Sequence, residues 1–358
     1  MGSSRAGSVP LIALRVVGGL FAAFLLVSAA VRYRRRRITR LNLIISVGLG
    51  LVGLLLAAVP LIFDPLFDLF NFRQGGGRRL LAVLLFGNVA LLLLILRNQT
   101  ETDVVRRDFQ LLMEWMGTQT LDRRQTEGLP AGERIVVVLP AHNEAGNIGA
   151  VLRAMPEKIE GHPVIPLVVD DASVDGTAHV ARAEGALVAS LPIRRGGGQA
   201  LRVGYELSLQ LDAVIVASLD ADGQHDPEEL PGLVKPILED EADMVQGSRV
   251  LGRYEQESRI RHLGVLTLSR LVTVMTGTRI TDVSNGYRAT RTDLMRRLVL
   301  EQDQFWTSEV IIEALRHRAR IKEVPITVRA RAGGVTKKPP PFKYGWNFLK
   351  VIVKTWLR

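Results

Sequence analysis

The 358-residue sequence contains no cysteine, only 6% aromatic residues and few lysines, 8 against 38 arginines among 46 basic residues. Without cysteine there is no disulfide framework, no thiolate zinc site, no iron–sulfur cluster and no cysteine nucleophile. Six histidines with no metal-type spacing leave oxygen ligands as the route to a metal. Nothing in the composition resembles a collagen repeat or a disordered tail, since 47% of the residues are hydrophobic. The length suits about two domains. The net charge of +10 would suggest nucleic acid if it were spread over a globular surface, so its position decides what it means.

That position is uneven. Three apolar runs, at about 11–31, 41–63 and 80–96, fill the first hundred residues. A bilayer-crossing helix needs roughly 17–25 apolar residues, so all three are read as spans, the third only just. The densest charge, Arg32 to Arg40, lies between the first two. Short basic loops stay on the cytoplasmic side, which puts the amino terminus outside and everything after Leu96 inside. The arginine cluster therefore reads as a topology signal, and no nucleic-acid partner is expected. Localisation is expected at a bacterial plasma membrane, multi-pass, with the catalytic part cytoplasmic.

Residues 1–100 are thus expected to form a membrane domain and 101–132 a juxtamembrane helix and linker. A globular domain is expected over 133–332 and a basic amphipathic interface tail over 333–358. In the second segment Val105, Phe109, Leu112 and Met116 recur at helical spacing, an apolar stripe for either the globular part or the membrane surface. In the third, short β-branched runs (135–139, 164–169, 186–190, 213–219, 243–246) alternate with helical stretches. That alternation predicts an α/β domain, a mostly parallel sheet flanked by helices, with ligands at the carboxyl ends of the strands.

Polar residues gather at those ends: Pro140-Ala141-His142-Asn143-Glu144, Asp170-Asp171 and Asp220-Ala221-Asp222-Gly223-Gln224-His225. Asp220 and Asp222 flank one small residue, so both carboxylates can reach one point past the sheet edge. With Gln224 they offer hard oxygen ligands suited to Mg²⁺ or Mn²⁺ shared with substrate phosphates. His225 is read as structural, and Asp175 with Gly176 as a helix cap.

Together with Ser284-Asn285-Gly286-Tyr287-Arg288-Ala289, these motifs resemble the inverting family 2 glycosyltransferases of GT-A fold. More narrowly they resemble the polyprenyl- or dolichyl-phosphate sugar synthases, and the amino-terminal part resembles a small membrane domain of unknown function found with them. The resemblance implies that Pro140, Ala141, Asn143, Glu144, Asp170, Asp171, Gly198, Asp220 and Ala221 line a nucleotide-sugar pocket. It implies a metal on Asp220, Asp222 and Gln224, and an acceptor phosphate met by Arg249, Arg259, Arg261 and Lys337. An ionised phosphate acceptor needs cations rather than a base, so Asp282, grouped with Asp220, Asp222 and Arg249 as catalytic, is assigned to positioning. The glycine run Arg194–Arg202 lacks the lysine many relatives carry, leaving Arg194, Arg195 or backbone amides as substitutes. Absence of a Gln-x-x-Arg-Trp signature favours transfer of one sugar.

The expected activity is transfer of a hexose or N-acetylhexosamine from a nucleotide sugar, UDP favoured over GDP-mannose, to polyprenyl phosphate. Two rivals stay open: a hydroxyl acceptor such as a glycan, protein or glycerolipid, and a flippase or scaffold whose soluble part only binds a sugar nucleotide. The expected partners are the donor, the lipid acceptor and membrane lipids. Copies of the chain could also associate through the membrane domain.

Overall fold

The computed structural model describes residues 8–34, 40–58, 104–130, 132–255, 259–330 and 341–358, with Asn88, Leu92 and Ile95 besides. The chain divides into two compact units, residues 1–107 and 108–356, the last two residues joining the first.

In the first unit α1 (Ser8–Arg34) and α2 (Arg40–Ala58) cover the first two apolar runs, while the third lies almost wholly outside the described residues. Among the described residues no helix is long and apolar enough to cross a membrane, so the expected spans have no support there. Both helices nevertheless expose large apolar side chains, among them Leu20, Phe24, Val27, Ile44 and Leu51.

α3, a helix over residues 104–119, begins in the last four residues of the first unit and leads into the second. The stretch read as a linker then runs along a sheet edge and is hydrogen-bonded to it. Thr120 Oγ1 accepts from Ser190 N at 2.7 Å and Gln125 Oε1 from Val188 N at 3.0 Å. These side chains occupy donors that an exposed edge strand would otherwise present to another chain.

The sheet combines β1 (Arg134–Ala141), β2 (Lys158–Ile159), β3 (His162–Asp170), β4 (Leu187–Ser190), β5 (Ala213–Ser218), β6 (Met244–Tyr254), β7 (Arg288–Arg291) and β8 (Ile321–Val328). Its order is β2-β3-β1-β5-β7-β6-β8, with β4 on β3 beside β2. β1 is parallel to β3 and β5, β3 to β4, and β6 to β8; β7 runs antiparallel to both of its neighbours. Five strands were expected from β-branched runs. β7 and β8 lack such a run, since β8 carries Lys322, Glu323 and Pro325 within eight residues.

Successive residues of β1 point to opposite faces, as a period of two requires. Ile135, Val137 and Leu139 pack with Ile148 and Val151 of α4 (Ala145–Arg153) and with Leu230, Leu233 and Ile237 of α7 (Leu230–Leu238). Val136 and Val138 pack with Ala200, Val203 and Leu207 of α6 (Gly197–Gln210), the helix that follows α5 (Thr177–Ala183). A Cβ on Gly204 would lie 2.2 Å from Val138 Cγ1, so glycine sets how closely α6 approaches the sheet. A third cluster joins α8 (Arg259–Thr276), α10 (Trp306–Arg316, after the single turn α9, Thr292–Met295) and α11 (Pro341–Leu357), through Val272, Val310, Ile311, Phe348 and Ile352.

Between β6 and β8 the register shifts, and a Cβ on Gly252 would meet Ile326 O at 2.1 Å. Gly252→Ala is therefore expected to destabilise the domain by about 1–3 kcal/mol, the usual cost of overpacking against unyielding backbone. A chemical denaturation midpoint equal to that of the parent protein would refute this.

Candidate active site

The parallel pairing of β1 with its neighbours brings the polar loops to one edge. Ala141 lies opposite Asp170, Asp170 opposite Ser190 and Val138 opposite Ser218. Asp171 N then donates to Ala141 O at 2.8 Å, and Leu219 N to Val138 O at 3.1 Å, so the loops leave together.

After β1, Pro140 and Ala141 belong to the strand and Asn143 adopts a left-handed φ of 53°. That turn is tied to the loop after β3: Asn143 N donates to Ser173 Oγ at 2.9 Å and Val174 N to Asn143 Oδ1 at 2.9 Å. Glu144 is buried, with its N on Thr177 Oγ1 and its carboxylate receiving Asn147 Nδ2 at 2.8 Å. Asp175 takes Thr177 N at 3.0 Å and Ala145 N at 3.0 Å, a bracing role at the start of α5, where Gly176 has φ 88°.

The carboxylates of Asp170 and Asp171 are spent on backbone. Asp170 Oδ1 accepts from Ser173 N at 3.1 Å, and the buried Asp171 takes Arg195 N and Gly196 N, each at 2.7 Å. Gly198, expected to line the pocket, instead makes room for backbone. Its N donates to Asp303 O at 3.0 Å, and a Cβ there would lie 2.1 Å from Gln302 O. The glycine run thus gives the amides of Arg195, Gly196 and Gly198 to internal carboxylate and carbonyl oxygens. Arg195, offered above as a phosphate contact, pairs with Asp303 at 2.9 Å.

Beyond β5, Asp220 is half-exposed, and its Oδ2 lies 3.9 Å from His225 Nδ1. That nitrogen is buried with no hydrogen-bond partner, and the imidazole rests against Tyr287, ring centroids 5.3 Å apart. Ala221 is buried, Asp222 Oδ1 accepts Gln224 N at 3.1 Å, and Gln224 Nε2 reaches Arg329 O at 3.3 Å, which leaves the amide oxygen as the atom for a cation. Among the described residues no three His, Asp or Glu side chains enclose a point. Mg²⁺ commonly takes one or two protein carboxylates and completes its shell with water and substrate phosphate, so Asp220, Asp222 and Gln224 fit such an ion. A cation held there would supply neutralisation of charge on a leaving diphosphate.

On β6, Arg249 meets Asp282 in a two-point pair, Nε to Oδ2 at 2.8 Å and Nη2 to Oδ1 at 3.1 Å. Asp282 is fully buried, Nη2 also bonds Ser284 Oγ, and the guanidinium lies 5.6 Å from the Tyr254 ring. The Asp282 loop is held in turn by Glu323, which accepts Thr281 N at 2.8 Å and Asp282 N at 3.0 Å. Burial raises the Glu323 carboxyl above its ordinary value while these amides oppose the rise. Such a geometry orients the arginine rather than preparing Asp282 to take a proton. The side chains of Arg259 and Arg261, and the whole of Lys337, lie outside the described residues.

Sequence reasoning left Arg288 unassigned. It is buried, donates to Asn285 O and to Thr307 O at 3.1 Å, and stacks on Trp306 at 5.0 Å. Burial lowers its pKa to about 10, against the opposing pull of Tyr205, Asp220 and Asp282, so it remains a cation at neutral pH. Gly286 is fitted beside it, with a Cβ position 3.2 Å from Asp220 Oδ1 and 3.4 Å from Trp306. The only linear signal was its place in the Ser284–Ala289 motif.

These loops, on a sheet of this order, gather past the carboxyl ends of the strands, the place where open α/β sheets take their ligands. Residues 136–299 match the family described as glycosyl transferase family 2. An undecaprenyl-phosphate mannosyltransferase of Micrococcus luteus is 31% identical over 215 residues, 57% of this chain and 87% of that one. A polyprenol monophosphomannose synthase of Mycolicibacterium smegmatis is 30% identical over 222 residues, covering 57% and 81%. Glucosyl-3-phosphoglycerate synthase of Mycobacterium tuberculosis, crystallised with Mn²⁺, UDP and its product, shares the fold at 23% identity. Its TM-score is 0.51, with 63% of this chain and 81% of that one covered. The chain belongs to glycosyl transferase family 2 and is a glycosyltransferase.

Asp282→Ala would leave the Arg249 charge without its buried partner, and a loss of roughly 3 kcal/mol or more in chemical denaturation is expected. A change below about 1 kcal/mol, the size of a solvent-exposed pair, would mean the pair is not the brace described.

Proposed function

We propose that the protein transfers one hexose or N-acetylhexosamine from a nucleotide sugar to polyprenyl phosphate, with inversion, using Mg²⁺ or Mn²⁺ on Asp220, Asp222 and Gln224. The observation that carries this reading is Arg249, a cation fixed in direction by the buried Asp282 at the edge of the donor loops. A phosphate oxygen is already ionised near neutral pH, so its attack on the anomeric carbon needs an oriented cation and no base. The bond from anomeric carbon to diphosphate breaks as the bond to acceptor oxygen forms, and the nucleoside diphosphate leaves. Two relatives named for undecaprenyl- or polyprenol-linked mannose transfer point the same way. UDP-sugars are the first donors to test, with GDP-mannose beside them.

The proposal includes attachment to the plasma membrane through the apolar runs of residues 1–100, with the amino terminus outside and the catalytic domain cytoplasmic. What supports it is the basic Arg32–Arg40 segment between two apolar runs, and the exposed apolar side chains of α1 and α2.

The full chain, incubated with Mg²⁺ or Mn²⁺, polyprenyl phosphate and a panel of nucleotide sugars, is expected to form an acid-labile glycolipid. Failure with every donor, while a control synthase works under the same conditions, would sink the reading. Asp220→Asn and Asp222→Asn are each expected to lower kcat roughly 10²-fold or more, the scale of losing one charge-stabilising group. Chelation by EDTA should abolish turnover, and restored Mn²⁺ should return it. Arg249→Met should cripple transfer to a phosphate; unchanged transfer would favour a hydroxyl acceptor. Because the chain has no cysteine, a single Cys at Ser8 or Thr120 gives an unambiguous topology label. Labelling of both from the same side of intact spheroplasts would contradict the stated orientation.

A further inference from the structure

Most of the stripe Val105, Phe109, Leu112 and Met116 of α3 faces away from the globular domain, although Phe109 meets it, with the Arg195 guanidinium 5.1 Å from its ring centroid. All four are exposed, Val105 at 68% and Leu112 at 50%. What docks is the opposite, polar face. Gln110 and Met113 are buried, and Gln110 Nε2 donates to Glu301 O at 2.9 Å and to Asp303 Oδ1 at 3.2 Å. Glu114 accepts Arg202 Nε at 2.6 Å, and Arg202 continues to Asp303. Gly117 lets the helix approach α6, since a Cβ there would lie 2.9 Å from Val203. The helix is inverted relative to an ordinary surface helix, which turns its apolar side to the core.

The outward face is large and mixed in a particular way. Leu111, Leu112, Trp115 at 61% exposure and Met116 share it with the exposed Asp108, while Arg106, four residues before Gln110, continues the inward line and Arg107 stands at its border. Large apolar side chains around an exposed indole suit the headgroup region of a bilayer, where an aromatic ring finds a place. The helix begins seven residues after the apolar run that ends at Leu96, a tether of at most about 25 Å. The other acidic residue of the helix, Glu114, is turned inward and paired, so it does not repel anionic lipid.

We propose that α3 lies on a phospholipid surface through this face. Its inner face would hold the donor-side loop to that plane through Glu114, Arg202 and Asp303. The chain of bonds continues to the glycine run, because Asp303 also pairs with Arg195 and its carbonyl takes Gly198 N. The bilayer thereby fixes the height of the loops at which an acceptor headgroup meets the donor. This rests on the membrane-attachment part of the proposed function.

The test uses the full chain in vesicles of three parts phosphatidylcholine to one part phosphatidylglycerol, with a doxyl quencher near the headgroup. Leu112→Cys or Trp115→Cys carries an environment-sensitive dye, and Val174→Cys, at 90% exposure on the loop after β3, serves as the aqueous reference. Labels at 112 and 115 are expected to be quenched about threefold more than the label at 174. Quenching no greater than at 174, or disulfide cross-linking of Leu112→Cys between copies in place of it, would overturn the proposal. The transfer assay run in the same vesicles separates the two readings. Lipid product with unquenched labels removes the helix proposal alone, whereas quenched labels without product remove the transferase reading and leave the surface standing. Trp115→Glu provides a second route, with an expected fall in turnover on vesicle-borne acceptor at unchanged donor affinity. Unchanged turnover counts against the surface.

Discussion

Strand β1 is hydrogen-bonded on both sides to parallel neighbours, and the loops that carry chemistry depend on that pairing. With Ala141 opposite Asp170 and Val138 opposite Ser218, the turns after β1, β3 and β5 leave the sheet at one edge. A slip of one residue would turn Ile135, Val137 and Leu139 to the face now filled by Val136 and Val138. Both faces are packed, so the register is tightly held. Closely fitted glycines add to this, Gly204 against Val138 and Gly286 against Asp220.

Around that edge carboxylates act mainly as braces, Asp171 and Asp282 buried and Asp303 part-exposed. Asp171 holds Arg195 and Gly196 by their amides, Asp282 holds Arg249 by its guanidinium, and Asp303 gathers Arg195, Arg202 and Gln110. A buried charge is tolerable only when its lone pairs are used, which is why each serves two or more donors. Asp220 is different, being half-exposed beside a histidine nitrogen that lacks a partner.

Much of the architecture was legible. Short β-branched runs announced β1, β3, β4, β5 and the start of β6, and the loops after β1, β3 and β5 bring their acidic residues to one sheet edge. β7 and β8 were not legible, because their place is set by pairing and not by a hydrophobic run of their own. The glycine run read as an anion cradle, yet Gly198 serves close packing against Gln302 and Asp303, residues about a hundred positions away. Arg288 gave no signal beyond its motif, since burial against Trp306 requires α10 to have packed first.

The sequence by itself determined the class of fold and the gathering of polar loops at the strand ends, because these follow from local periodicity and residue chemistry. Only the tertiary structure decided which carboxylates are braces and which face of α3 looks outward. The α3 stripe made the limit plain. Its spacing is the same whether the apolar side meets a core or a lipid surface, and the choice was made by Glu114, Gln110 and Gly117 finding partners on distant segments. Hydrogen bonds and close approaches between residues far apart in the chain are invisible to spacing, and here they settle what each motif does.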